Sequence, residues 1–255
     1  MKRVFMVVLG VLVFFACEKS DDDFKNHSEH VYLPSILQGD ELVITLTFDN
    51  RSRIVQLGEV ADNGEFARLY TFRYEGEKMT SAEAIYFSVA IEGGYNYSEN
   101  FKFVYNKDRI FVEKHFLDNT GFSQVTNDIL EVDQEGKLLS AQNLQISYDD
   151  RGNMVKVVNH DNVSEIAYDN NKGAFLNVNN QPWVLYYIMK LGNFYRINNP
   201  VQIKTSKADM SSQLILNRSF EYNSAGFPIK YIESSSEEEG TDVYFIDYLQ
   251  LYREN

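Results

Sequence analysis

Apolar and polar residues alternate with period two along most of the chain, and short clusters of Asp, Asn and Gly interrupt the alternation again and again. The stretch from Leu144 to Val157 shows the unit most clearly. Leu144, Ile146 and Tyr148 alternate on one arm, and Val155 and Val157 on the other. Asp149-Asp150-Arg151-Gly152-Asn153 lies between them. Period-two alternation marks a half-buried strand, and an Asp/Gly/Asn cluster between two such runs marks a hairpin turn. Variants recur from about residue 42 onward. Leu42, Ile44, Leu46 and Phe48 precede Asp49-Asn50-Arg51-Ser52. Tyr70, Phe72 and Tyr74 precede Glu75-Gly76-Glu77, and Phe101, Phe103 and Tyr105 precede Asn106-Lys107-Asp108. Ile129 and Val132 precede Asp133-Gln134-Glu135-Gly136. Ile166 and Tyr168 precede Asp169, and Phe220 and Tyr222 precede Asn223-Ser224-Ala225-Gly226.

The last aromatic before the turn falls at Phe48, Tyr74, Tyr105, Tyr148, Tyr168 and Tyr222. These steps are too irregular for a solenoid or propeller of fixed period. They predict an all-β fold: an antiparallel meander of hairpins that curls into one extended sheet or open roll. One segment departs from the pattern. Pro182 opens and Gly192 closes Trp183-Val184-Leu185-Tyr186-Tyr187-Ile188-Met189-Lys190-Leu191. Pro at the first turn with Gly past the end is the asymmetry of a short helix. Val184, Leu185, Ile188 and Leu191 share one face of it, which predicts a helix near 182–191 docked on the sheet. Trp183 and Tyr187 form an i, i+4 pair on another face.

The N-terminus has a different character. Lys2 and Arg3 precede an apolar run from Val4 to Phe15, broken only by Gly10. Twelve residues at the helical rise span about 18 Å, short of the hydrocarbon core of roughly 30 Å. This predicts a signal peptide over residues 1–16. Ala16 then precedes Cys17, the only cysteine, so one chain can form no internal disulfide. A small residue before a lone cysteine at the end of an apolar run resembles a bacterial lipoprotein processing site, although Phe14 stands where such sites usually carry Leu. The resemblance implies lipidation of Cys17, and with it membrane attachment through two or more acyl chains. Residues 17–38 then read as an acidic tether, and 39–255 as a single β-meander domain.

Two resemblances can be added. Ser20-Asp21-Asp22-Asp23 is similar to the export signal that follows the lipidated cysteine in surface-exposed lipoproteins of the Bacteroidetes. It implies outer-membrane, cell-surface display. Phe220-Glu221-Tyr222-Asn223-Ser224-Ala225-Gly226-Phe227-Pro228 and Ser147-Tyr148-Asp149-Asp150-Arg151-Gly152-Asn153-Met154 resemble the Tyr-Asp hairpins of YD-repeat proteins. They are closer still to the degenerate copies in a family of Bacteroidetes lipoproteins built around a domain of unknown function. That resemblance covers residues 40–250. It implies fold and location, and it brings no catalytic residues.

Composition narrows the function classes. The net charge of −13 becomes −15 once Lys2 and Arg3 are removed, a balance that repels nucleic acid and anionic headgroups. Aromatics stand out, with 18 Phe, 17 Tyr and 1 Trp, and they favour sheet. His115 and His160 lie on separate units with no nucleophile motif beside them. His27 and His30 lie in the tether without a fixed third ligand, which makes a weak metal site. Asp149 to Asn153 resembles a calcium loop but lacks the alternating ligands and the distal bidentate Glu. No metal or cofactor is therefore expected. Trp183, Tyr186 and Tyr187, with Tyr95 and Tyr97, are the candidate ligand-binding residues, suited to stacking on a glycan or gripping an envelope protein. The expectation is a non-enzymatic, surface-exposed binding or scaffold module. The rival is a glycan-acting hydrolase using carboxylates on the sheet.

Overall fold

The computed structural model describes residues 29–39, 43–60, 66–87, 95–189, 197–237 and 239–253. Contacts divide the chain into a body, Tyr32–Leu249, and a terminal unit of residues 1–31 with 250–255. In the terminal unit the described residues are the outer ends of the first and last strands. The turns, the insert and the inner wall all lie in the body.

Among the described residues, sixteen strands follow one another in chain order. They are β1 (Glu29–Gln38), β2 (Val43–Phe48), β3 (Ile54–Val60), β4 (Phe66–Glu75), β5 (Lys78–Phe87), β6 (Tyr95–Asn106), β7 (Arg109–Asp118) and β8 (Ser123–Val132), then β9 (Leu138–Ala141), β10 (Leu144–Tyr148), β11 (Met154–Val158), β12 (Asn162–Tyr168), β13 (Pro200–Lys207), β14 (Gln213–Tyr222), β15 (Pro228–Ser235) and β16 (Asp242–Arg253). Each pairs antiparallel with its neighbours, and the meander closes as a barrel with β1 beside β16. At the seam Ser35 Oγ donates to the Asp247 carbonyl at 3.3 Å, and Tyr32 meets Tyr248 edge-on at 6.1 Å. The expected open roll is therefore corrected to a closed barrel. The closing strand is residues 29–38, which the sequence assigns to the tether.

The hairpin turns share one wiring. In Asp49–Arg53, Asp118–Phe122, Asp133–Lys137, Asp149–Asn153 and Asn223–Phe227 the first residue's N–H donates to the fifth residue's carbonyl, and the fourth N–H returns to the first carbonyl. The leading side-chain Oδ1 accepts the third and fifth N–H groups. The fourth position has positive φ: Ser52, Gly121, Gly136, Gly152 and Gly226. Glycine adopts that conformation without the Cβ penalty, and Ser52 is the exception. Burial alone would push the Asp49 and Asp149 carboxyls up. The hydrogen bonds from Arg53 and Arg51, and from Asn153, Arg151 and Gly152, outweigh it and hold both below the ordinary carboxylate value.

The tyrosines before four of the turns, and Tyr248 within β16, share a task that the alternation does not reveal, whereas Tyr222 bonds the Asp169 carboxylate instead. Tyr74 donates its hydroxyl to the Ile54 carbonyl, Tyr105 to Met79, Tyr148 to Leu138, Tyr168 to Met154 and Tyr248 to Pro228, all at 2.7–2.9 Å. Every acceptor lies in the first or second residue of the strand that leaves the preceding turn on that rim. The phenols thus stitch one hairpin to the next around the barrel. Burial pushes the Tyr74 and Tyr105 hydroxyls well above their usual pKa.

Inside this rim lies the insert between β12 and β13. Asn177 Nδ2 donates to the Tyr32 carbonyl, and Asn179 N–H to the Ser52 carbonyl. Asn180 accepts the Ile54 N–H at 2.7 Å and donates to the Tyr74 hydroxyl at 2.6 Å. Trp183 N–H donates to the Gly136 carbonyl at 3.1 Å. The insert thus touches β1, β3, β4 and the β8–β9 turn, and it plugs this end. Its helix, α1, spans Pro182–Tyr187 and is shorter than the 182–191 expected. The reason is local: the Val184 carbonyl accepts from both Ile188 and Met189 N–H groups, which ends the regular ladder. Residues 190–196, with Leu191 and the Gly192 stop, lie outside the described residues. Val184, Leu185 and Ile188 are buried as expected, and Trp183 and Met189 are buried too. A helix apolar on all sides belongs inside a core, and this one is enclosed by the barrel.

Candidate functional site: the open end of the inner wall

Strand alternation sorts the barrel into two faces. On β6, Phe101 and Phe103 are buried, and on β7, Ile110 and Val112, so this parity points inward. The other parity is mixed: polar and charged rows lie at strand centres, and beside them Val104, Phe111 and Ile129 form an exposed apolar row across β6–β8. Thr71, Glu83 and Asn100 align across β4–β6. Lys102, Glu113 and Asn127 align across β6–β8, and Lys156, Glu165 and Lys204 across β11–β13. His115 sits on this outer face 2.9 Å from Glu113, and His160 is exposed in the β11–β12 turn.

Followed away from the plug, the inward parity changes character. On β4, Phe72 and Tyr70 give way to Arg68. On β6, Phe103 and Phe101 give way to Glu99 and Tyr97, and on β7, Val112 gives way to Lys114 and Phe116. The lysine side chain is 36% exposed and the arginine 31% although both point inward. Water therefore reaches the interior from the end opposite the insert.

These side chains form one hydrogen-bonded run. Arg68 Nη1 donates to Glu59 Oε1 at 3.2 Å and to the Tyr70 hydroxyl at 3.4 Å. The Tyr70 and Tyr86 hydroxyls are 3.5 Å apart. Tyr86 donates to Glu99 Oε2 at 2.9 Å, and Lys114 Nζ lies 2.5 Å from Glu99 Oε1. Aromatic rings run alongside. Tyr86 and Tyr97 stack at 4.0 Å, Tyr97 and Phe116 lie 5.1 Å apart, and Phe116 meets Phe122 edge-on at 6.2 Å. The Arg68 guanidinium lies 4.7 Å over the Tyr86 ring, a favourable placement on the ring's negative face. Burial, followed by the neighbouring Tyr70 hydroxyl and the Glu99 carboxylate, keeps the Tyr86 phenol protonated far above its usual range.

The sequence candidates divide between the two ends. Tyr97 belongs to this wall. Tyr187 joins it from the helix by a hydrogen bond to Asp128, which also accepts from Gln142. Burial and that carboxylate push the Tyr187 hydroxyl up. Tyr186 is half-buried. Tyr95 begins β6, and only its backbone is described. Trp183 is corrected: it has no exposed surface, packs against Phe103 and Tyr105 at 5.1 and 6.5 Å, and donates Nε1 to Gln181 at 3.1 Å. A ring enclosed in this way offers no face to a ligand. Cys17 and Ser20, Asp21, Asp22 and Asp23 lie outside the described residues. Sequence reasoning missed Glu59, Arg68, Glu99, Lys114 and Asp128. Their signal is a charge on the apolar parity, as in Arg68-x-Tyr70-x-Phe72.

The fold and wall define a plugged antiparallel barrel, with charged rows and exposed apolar residues outside and an apolar-to-aromatic lining inside. No protein-family model and no curated protein matches the chain. Among solved structures it is similar to a porin-like protein from Bacteroides vulgatus, with 13% identity and a TM-score of 0.45, covering 85% of this chain and 99% of that one. It is also similar to a porin-like protein from Bacteroides uniformis, with 10% identity and a TM-score of 0.42, covering 86% and 98%. Among the described residues no helix is long and apolar enough to cross a membrane, which says nothing of a barrel.

Proposed function

We propose that this protein is a surface lipoprotein of the outer membrane, anchored through Cys17, whose barrel stands in water and serves as a binding module rather than a pore or an enzyme. The observation that carries this reading is the set of charged rows that interrupt the exposed apolar residues of the outer face, such as Val104, Phe111, Val125 and Ile129. A membrane barrel presents an apolar band about 25 Å tall, and a Lys or Arg at mid-bilayer costs about 2–4 kcal/mol. Here Lys156, Glu165 and Lys204 meet in one row at strand centres, as do Lys102 and Glu113. Lipid contact at such rows is unfavourable several times over, whereas water solvates them freely. The barrel therefore needs another link to the membrane, and lipidated Cys17 followed by Ser20-Asp21-Asp22-Asp23 supplies one suited to surface display.

Binding is favoured over hydrolysis by the state of the inner carboxylates. Glu59 is held by Arg68, Glu99 by Lys114 and Tyr86, and Asp128 by Tyr187 and Gln142. A glycosidase needs two carboxyls free to face the scissile bond from either side. Carboxylates engaged by cations and phenols are fixed in place to orient polar groups.

The test is to export the chain from Glu18 behind a cleavable non-lipid leader. The expected product is a monodisperse barrel in detergent-free buffer that stays in the aqueous phase of a detergent phase separation. Partition into the detergent phase would refute the water-standing barrel. Labelling of the native chain by palmitate, lost in Cys17→Ser, checks the anchor.

A further inference from the structure

Resting on the binding-module reading, we infer that the inner wall of β3–β7 takes a neutral oligosaccharide, held by the run from Glu59 to Lys114 and by the ring staircase from Tyr86 to Phe122. The charge pattern selects the class. Arg68 is paired with Glu59 and Lys114 with Glu99, so the wall offers donors and acceptors in nearly equal number. An anionic ligand would meet Glu59, Glu99 and Asp128, and the acidic chain as a whole repels polyanions. A cationic ligand would meet Arg68 and Lys114. Sugar hydroxyls are uncharged and both donate and accept, so they match carboxylate and guanidinium alike.

Two further features point the same way. The Nε of Arg68 is buried and has no acceptor. A buried donor left unmade is costly, and a ligand hydroxyl that displaces its cover would satisfy it. The Tyr86–Tyr97 stack, Phe116 and the 56%-exposed Phe122 rise toward the rim as successive apolar surfaces, and apolar C–H faces of pyranose rings pack on such surfaces. From β3 to β7 is four strand spacings, roughly 19 Å, the reach of a short oligosaccharide and not of one sugar.

The experiment uses the full lipidated chain in phospholipid nanodiscs, since sugar-headed detergents would compete. An array of neutral oligosaccharides (glucans, mannans, xylans, galactans) is probed beside polygalacturonate and heparin, and hits are titrated by calorimetry. The expected result is binding of at least one neutral oligosaccharide longer than two units. Tyr97→Ala should weaken it about tenfold, the worth of one aromatic contact. Lys114→Met should weaken it by more than the modest fall in melting temperature accounts for, because Glu99 also loses its cation. Val104→Ser on the outer face should change nothing. If Tyr97→Ala lowers the melting temperature, Lys114→Met decides. No neutral ligand on the array, a preference for the acidic glycans, or affinity indifferent to Lys114→Met would each overturn the inference. A barrel that fails the phase-separation test refutes the binding-module reading instead. One that passes it and binds no glycan refutes this inference alone.

Discussion

Trp183 is the most informative single position in the plug. It is fully buried, its ring packs on Phe103 and Tyr105, and Nε1 donates to Gln181 Oε1, which also accepts from the Tyr105 hydroxyl. Trp183→Ala removes all of this. A buried aromatic of about 200 Å² at about 25 cal/mol/Å² accounts for about 5 kcal/mol, less what Ala retains. Large-to-small changes of this kind cost about 3–5 kcal/mol once the cavity is counted. At about 2–4 °C per kcal/mol for a chain of this length, the melting temperature should fall by about 6–20 °C. As Trp183 is the only tryptophan, the variant must be followed by far-UV circular dichroism in urea. In the native chain, blue-shifted emission from this residue reports the closed plug. A loss below about 1 kcal/mol, with a clear drop in ligand affinity, would refute the core assignment and return Trp183 to the role of a stacking surface.

The turns make sharper predictions. A Cβ at Gly226 would meet nothing within 4 Å, so Gly226→Ala isolates the penalty of positive φ, about 1–2 kcal/mol by urea melting. Gly152→Ala carries the same positive-φ penalty, and the end of the Lys137 side chain, 3.2 Å from the new Cβ, must shift by a few tenths of an ångström. Tyr74→Phe should cost about 1–3 kcal/mol, since the Ile54 carbonyl and the buried Asn180 amide both lose a partner. The depressed carboxyls of Asp49 and Asp149 bind fewer protons folded than unfolded. Their stabilisation is complete above the unfolded value of 3.8 and is lost as pH falls through the lower folded value. Acid unfolding should start below about pH 4, and Asp149→Asn should flatten its slope.

What the sequence conveyed was local. Leu144 to Val157 marks its hairpin because strand, turn and strand fit within fourteen positions, and Pro182 announces a helix within one turn of itself. Closure was not legible, because Ser35 and Asp247 meet across 212 positions. The closing strand also hides its nature: Pro34 interrupts the alternation of Val31, Leu33 and Leu37, and proline within a run argues against a paired strand. The inner wall failed to appear for a related reason. Glu59, Arg68, Tyr86, Glu99 and Lys114 come together only when the register of five strands is fixed, and each bulge beside a turn shifts that register by one. The tyrosines before the turns were visible, yet their hydrogen bonds to the preceding hairpin belong to the assembled barrel.

Strand number then explains why plug and site coexist. About eight strands make a barrel whose interior side chains can fill it, and larger barrels enclose space. Sixteen strands with an apolar lining cannot leave that space to water along its whole length, since Phe72, Phe103, Ile110 and Leu130 would be wetted. The chain resolves this by sending residues 174–189 inside, where Phe175, Val178, Trp183, Val184 and Leu185 cover the lining of one end. At the other end the lining itself changes, to Arg68, Glu99, Lys114 and the tyrosines, which tolerate water. The boundary falls near Tyr187, the last residue of the helix, whose hydroxyl bonds Asp128 on the wall. The helix that stabilises the barrel is thus also the floor of its open end. A substitution that loosens Trp183 should therefore weaken ligand binding indirectly, whereas Lys114→Met should weaken it directly, by removing a donor from the wall.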